Sequence, residues 1–475
     1  MDKDQQIQQK DQQIAQLEAA LQQAVQTIEQ LQQRIQELEQ RLAKDSHNSH
    51  LPPSSDRFVR QPKSLRPKSE KPSGGQKGHP GKHLMMSATP DHIIVHPPDL
   101  CWDCQQDLTT QPILAITRRQ VIDLPTSAVQ IWEHQAQTKC CPRCHSQTTA
   151  PFPEQVSAAV QYGSTIQAIA VYLSQVQLLP NERVCQVMKD LLGVTISCGS
   201  LHNWMARCAQ AIEPIEEQIK TALRRAKVMH QDETGLYVAG TRQWMHVACT
   251  KTLTYFGVHE KRGREAMDAI GIVPHFRGIS VHDGWASYQG YLCQHALCNV
   301  HHLRELTFLA EEHQQAWAAE MIDLLLHIKD AVHDAQSRGH SALSPPVRAE
   351  FEALYRAWLR QADLLNPQQP HTGPVKRGRK KQSVVRRLLT RLRDQQTWVL
   401  AFMTDFDVPF DNSLAERDIR MMKVQQKVSG CFRSQEGASV FCRIRSYVST
   451  MTKQGYALLP LLEMALVDHP ISPTF

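Results

Sequence analysis

The sequence predicts a multi-domain, mainly α chain that carries one α/β core, and three observations lead there. A heptad repeat of Ile and Leu fills the N-terminal region, and a pair of Cys-x2-Cys knuckles follows. At Lys227 helical spacing gives way to alternating and apolar runs with short polar breaks, before helical spacing returns. At 475 residues the chain exceeds one compact core, so roughly three to five units are expected.

Residues 1–45 read as a coiled coil. Ile14, Leu21, Ile28, Ile35 and Leu42 fall at a, with Leu17, Ala24, Leu31 and Leu38 at d. Ile-rich a with Leu-rich d favours a parallel two-stranded coil, so a homo-oligomer, most simply a dimer, is expected. Residues 46–97 are a Pro-, Gly-, Ser- and Lys-rich arm that cannot build a core. From Arg57 to Lys82 it carries eight Lys/Arg against one acid, Glu70. A second block, Lys376 to Arg393, carries nine and no acid; it includes Lys376, Arg377, Arg379, Lys380 and Lys381. The net charge of +6 is mild, but such blocks point to a polyanionic partner, most simply nucleic acid, because release of condensed counterions drives binding. Solvated linkers are the plainer alternative.

Residues 98–150 contain "CWDC" and "CPRC", with strands expected at "RRQVIDL" and "AVQIWEHQAQTKC". Two knuckles brought together by a small sheet supply the four thiolates of a tetrahedral Zn2+ site, so Cys101, Cys104, Cys141 and Cys144 are assigned to a zinc ribbon. Cys140 is a spare and His145 a weaker alternate. Residues 151–225 are helical, and Gly193 breaks a candidate helix-turn-helix whose second helix would run near Ser200 to Arg207. An ordinary helical hairpin fits that stretch equally well. The thirteen cysteines are mostly scattered, with no secretory signal and no apolar run of membrane length. A soluble, cytoplasmic protein without a membrane partner is expected.

Residues 226–310 and 400–430 are expected to form the α/β core, split by a helical insertion at 311–399 and followed by a helical segment at 431–475. "KVMHQDETGLYVAG", "RQWMHVACT" and "LTYFGVHE" read as a three-stranded meander. A helix, a short strand ending in Asp283, and a strand at "HALCN" follow. That order fits the mixed sheet of a ribonuclease H-like fold. It places Asp232 in the first strand, Asp283 at the end of the fourth and Glu416 on a late helix. Three converging carboxylates can hold two divalent cations that clamp the attacking and leaving oxygens of a phosphoryl displacement; hard oxygen ligands suit Mg2+, or Mn2+. From Glu416, Arg420, Lys423 and Lys427 lie at i+4, i+7 and i+11, on one helical face. The bland reading of that face is a solvated Glu–Arg pair worth a few tenths of a kcal/mol.

"HQDETGLYV", "VHDGW", "CNVHHLREL" and "DNSLAERDIR" resemble the motifs of DDE transposases of the insertion-sequence-66 family. The zipper, the "GGQKGHPGKH" arm and the paired knuckles resemble that family's N-terminal half, so the likeness runs along nearly the whole chain in order. It implies a ribonuclease H-like core, Mg2+ dependence, and Asp232, Asp283 and Glu416 as the acidic triad. It also implies double-stranded DNA as partner and a place at the bacterial nucleoid, and leaves open whether other element-encoded proteins take part. Cys298 and His301 match a family Cys-x2-His pair and form a candidate second metal site, against a packing role for the helix that follows. Arg420, Lys423 and Lys427 would then line the groove for the phosphates. The rival readings are a DNA-binding regulator over a decayed core and a structure-specific nuclease on the same fold.

Overall fold

A computed structural model of the chain describes residues 3–44, 48, 86–122, 129–140, 142–144, 146–367 and 382–475. It divides into two units: Met1–Ser64 with Ala158–Lys189 and Thr195–Phe475, and Leu65–Ser157 with Asp190–Val194. The first helix, α1 (Lys3–Leu42), is continuous, and Leu17, Leu21, Ile28, Leu31, Ile35 and Leu38 stand exposed along it. Most of the basic arm lies outside the described residues, as do all of Lys376, Arg377, Arg379, Lys380 and Lys381.

In the second unit β1 (Thr138–Cys140) pairs antiparallel with β2 (Gln147–Thr149). The longer strands expected between the knuckles reduce to β1 among the described residues. Val121, Ile131 and Trp132 are exposed, so the alternation that suggested strands has no apolar layer to bury against.

The first unit continues with α2 (Ser164–Val171), which runs into a π-helical turn, then α3 (Asn181–Leu192), α4 (Cys198–Ala211) and α5 (Glu213–Arg225). Gly193, at φ +68°, makes the break between α3 and α4, and Leu201, Trp204, Met205 and Cys208 bury one face of α4. The meander is β3 (Val228–Val238), β4 (Thr241–Cys249) and β5 (Thr254–His259). Ala239 and Gly240 join β3 to β4 with φ of +48° and +76°, the two-residue turn whose twist matches paired strands. A crossover through α6 (Arg264–Ile270) leads to β6 (Ile279–His282) and β7 (Gln294–Leu297). The sheet order is β5-β4-β3-β6-β7, with β3, β6 and β7 parallel.

Helices α7 (Asn299–Glu312), α8 (Ala316–Ser337), α9 (Pro345–Leu365), α10 (Val384–Asp394) and α11 (Gln396–Val399) follow. They build a core of their own around Leu306, Trp317 and Tyr355, seated on Val281, Ala296 and Leu297 of β6 and β7. The chain then returns through α12 (Ser413–Ser429), α13 (Gln435–Lys453) and α14 (Leu458–Leu466). Leu236 and Val238 of β3 and Val247 of β4 pack against Ala415, Ile419 and Met422 of α12. Asp418 fixes α12 in place, accepting from Lys453 Nζ at 2.6 Å and Thr254 Oγ1 at 2.9 Å.

Gly278 lies where β6 comes alongside β3, and a Cβ there would meet the carbonyl oxygens of Ala226 and Lys227, each at 2.5 Å. Backbone on both sides cannot yield as a flexible side chain can. Gly278→Ala is expected to cost about 1–3 kcal/mol or more, as overpacking does. Gly199→Ala, on an exposed turn of α4 with its nearest neighbour at 3.6 Å, is expected to be neutral or up to about 1 kcal/mol stabilising. Urea unfolding of the two variants checks the contrast, and equal midpoints would refute it.

Candidate active site

Strand register brings the two aspartates together. β3 and β6 align Val228 with Ile279, Met229 with Ser280 and His230 with Val281. Continued by two residues, the same offset sets Asp232 beside Asp283, at the point where β6 ends. Alternation then selects the face: Asp232 shares its side of β3 with Leu236 and Val238, which pack on α12. Glu416 stands on that helix, next to the buried stripe of Ala415, Ile419 and Met422. The three acids therefore come from a strand, a strand end and a covering helix, all half-buried.

Their electrostatics are unfavourable without a cation. Burial, then the charges of Glu233, Asp283 and Glu416, hold the Asp232 carboxyl well above the usual carboxylate range; a hydrogen bond from the Glu233 N–H opposes them. Glu416 is raised by burial and by Asp411 and Asp283, against relief from Arg304 and Arg420. Asp283 Oδ1 accepts from Trp285 N at 2.9 Å, which fixes its side chain over the turn after β6. The charge of each of these acids thus acts on another, and carboxylate oxygens are the kind of donor a hard divalent cation takes.

Glu233, one residue from Asp232, is engaged differently. Its Oε1 accepts from Arg262 Nε at 2.9 Å and Nη2 at 2.6 Å, and its Oε2 from Tyr288 Oη at 2.6 Å. His301 Nε2 lies 3.9 Å from Glu416 Oε1, and the cations whose charge acts on Glu416 are Arg304 and Arg420. Arg420, Lys423 and Lys427 are exposed along α12.

Cys298 and His301 are brought to the same place. The Cys298 sulfur, a His301 ring nitrogen and a Glu416 oxygen lie within 4.8 Å of one another, a group that could hold a metal ion. Glu416 is thus common to two donor sets. Cys298 is buried, its thiol is pushed up to about 12 by burial, and its sulfur accepts from Asn412 N at 3.2 Å. In the second unit Cys101 and Cys104 adjoin: the Cys101 thiol is held below its usual value by the backbone N–H groups of Cys104 and Asp103 and by the Cys104 side chain. Cys144 Sγ is 3.0 Å from Ser146 Oγ, while Cys141 and His145 lie outside the described residues.

Sequence reasoning missed Asn412. Its Nδ2 donates to Gln231 O at 2.7 Å, and its Oδ1 lies 3.0 Å from His230 Nδ1. Since Nδ2 is the donor, Oδ1 accepts, and His230 carries its proton on Nδ1. The Asn412 carbonyl accepts from Glu416 N at 3.2 Å. One buried side chain thus ties the Asp232 strand to the Glu416 helix. Its place in "DNSLAERDIR" was the available signal; Arg262 and Tyr288 gave none, being ordinary residues far from Glu233 in sequence.

A family model described as Transposase IS66 family matches residues 159–440, and one described as a family of unknown function, DUF6444, matches residues 3–85. No curated protein matches the chain. No helix among the described residues is long and apolar enough to cross a membrane.

Because the Asp232 and Glu416 carboxyls are raised, the folded chain holds their protons more tightly than the unfolded chain. Their contribution to metal-free stability is present at low pH and lost as pH rises through the raised folded values. Mg2+ is expected to raise Tm at about pH 8 and much less at about pH 5, where protons compete for the oxygens. Asp232→Asn is expected to raise the metal-free Tm at the higher pH and to abolish the response to metal. Calorimetry showing an equal metal response at both pH values would exclude these carboxyls as the ligands.

Proposed function

The chain belongs to the Transposase IS66 family, and from that premise we propose that it binds the ends of its insertion sequence, cuts DNA and joins the freed 3′-OH to target DNA. The observation that supports the reading is the β3–β6 register, which continued by two residues sets Asp232 beside Asp283, with the charge of Glu416 acting on Asp232. In the first step a water oxygen bonds to phosphorus and the 3′ oxygen leaves with a proton. In the second, that 3′-OH attacks a target phosphodiester and another 3′ oxygen leaves. Each step exchanges one P–O bond for another, so no external energy source is needed. Divalent cations held by the three acids would supply charge neutralisation at the phosphoryl oxygens and an acidified nucleophile. Asp283 is oriented by the Trp285 N–H and Glu416 by its helix, while Arg420, Lys423 and Lys427 meet the DNA phosphates. The basic block at 376–381 adds phosphate contacts in this reading. The sheet of three antiparallel and two parallel strands supports a ribonuclease H-like core.

The N-terminal regions complete the proposal. The exposed apolar row of α1 suits pairing with a second copy, residues 98–150 a zinc ribbon, and residues 151–225 part of the DNA-binding surface. Residues 226–310 and 400–430 would be the catalytic core, with the helical insertion at 311–399 and the closing helices at 431–475.

Glu416→Gln keeps size and hydrogen-bonding reach but removes a ligand charge. It is expected to bind labelled element-end DNA normally and to lose roughly three orders of magnitude or more in Mg2+-dependent cleavage. Asp232→Asn and Asp283→Asn should match it. Arg420→Ala and Lys423→Ala should instead weaken binding and flatten its salt dependence. Near wild-type cutting by the Gln variant would remove Glu416 from the site, and binding without any cutting by wild type would favour the regulator reading. Zinc content of about one per chain is expected if only the ribbon fills, falling with Cys101→Ser; deleting residues 1–45 should lower the molar mass seen by light scattering. Absence of zinc, or unchanged mass, would overturn the respective assignment.

A further inference from the structure

On the face of the meander opposite α12, the face that Glu233 shares, two arginines and two tryptophans form a ladder. Arg242 Cζ lies 4.7 Å from the Trp244 ring centroid, Arg262 Cζ lies 4.9 Å from the same ring, and Arg262 Cζ lies 4.3 Å from the Trp285 ring. The order is Arg242, Trp244, Arg262, Trp285, drawn from β4, the loop after β5 and the turn after β6. We propose that this ladder is a stacking site for an unpaired nucleobase of the DNA held at the acids, received at its Trp285 end. The inference rests on the reading of Asp232, Asp283 and Glu416 as a DNA-cutting site.

The ladder is fastened to that site at two points. Trp285 stands two residues from Asp283 and donates its backbone N–H to that carboxylate. Arg262 is clamped through Glu233, the neighbour of Asp232, and Tyr288 holds the other oxygen of Glu233. A base on the ladder would therefore sit at a fixed distance from the phosphate at the acids.

A structural clamp alone explains Arg262, whose charge Glu233 balances, but not the far end. Arg242 is exposed and makes no ion pair among the described residues. Gly235, on the neighbouring strand, leaves room for it: a Cβ there would lie 3.2 Å from Arg242 Nε. A glycine inside a strand often marks a close approach of this kind. Tyr237, paired with Arg242 across the strands, is 52% exposed. An unbalanced cation beside aromatic planes suits a strand that brings both phosphates and ring faces. In duplex DNA the ring faces are already stacked on one another, so the ladder selects bases freed from pairing.

The test uses the full chain and two fluorescein-labelled duplexes, one blunt and one with a short unpaired 3′ extension containing 2-aminopurine. Wild type is expected to bind the extended duplex roughly tenfold to a hundredfold more tightly, the range that loss of one stacked base covers, and to quench the 2-aminopurine. Trp285→Ala should lose the preference and the quench, and Trp285→Phe should keep much of both. Arg242→Ala should reduce the preference in part. If wild type binds and cuts DNA yet shows no preference for the extension, or if Trp285→Ala keeps wild-type preference and quench, the ladder is only structural and the proposal fails. If wild type binds neither duplex, the DNA-cutting reading fails and the ladder proposal with it.

Discussion

The arrangement of the acids depends on one buried amide. Asn412 spends both ends of its side chain on β3, at Gln231 O and His230 Nδ1, its backbone N–H on the Cys298 sulfur and its carbonyl on the helix that carries Glu416. Each bond is worth little net, about 1 kcal/mol, but buried donors and acceptors left unmade cost more than that. A fully satisfied polar group of this kind specifies one arrangement and penalises its neighbours. Here it sets where α12 begins relative to β3. Burial of Ala415, Ile419 and Met422 holds the helix against the sheet, but apolar packing tolerates small slides that the amide does not.

That fixity is needed because the acids oppose it. Asp232 and Glu416 are both raised by burial and by neighbouring acids, so the metal-free chain would relax by moving them apart. Parallel register fixes Asp232 to Asp283, and Asn412 fixes Asp232 to Glu416. Glu233 shows the contrast. It is adjacent to Asp232 in sequence and more buried, yet Arg262 and Tyr288 satisfy both its oxygens on the other face of the sheet. Two neighbouring carboxylates thus meet different surroundings through alternation alone: Asp232 faces the α12 side, while Glu233 is consumed in holding Arg262 and Tyr288.

The meander was legible because its signals are local: alternating or apolar runs separated by short polar breaks, one of them at Ala239–Gly240, whose positive φ values close the hairpin. The spacing of the aspartates was legible too, since 283 − 232 = 51 equals the register offset between His230 and Val281. Helix α12 and the face shared by Arg420, Lys423 and Lys427 followed from helical period. Contacts between distant segments were not readable. Arg262 meets Glu233 only because the loop after β5 folds back over the sheet, and Asn412 meets Gln231 only through the packing of α12. The strands expected around the knuckles failed for a related reason: alternation reports a strand only where an apolar layer exists to bury it, and Val121 and Ile131 have none.

The placement of charge separates holding DNA from acting on it. The acids sit half-buried at the centre, where desolvation strengthens their interaction with a cation and with one another. The cations of α12 sit exposed on the same helix, where in the proposed function each would contribute a screened, additive contact to a phosphate. Residues three and four apart place both classes on adjoining strips of one rigid element. In the proposed function a phosphate fixed by the outer strip would be delivered at a constant height over the inner one. The Arg242 to Trp285 ladder extends the same logic across the sheet edge, since it too is tied to backbone beside an acid rather than to a loop free to move. Rigidity of the shared elements, more than the strength of any single contact, is what would convert binding along the strand into position at the phosphorus.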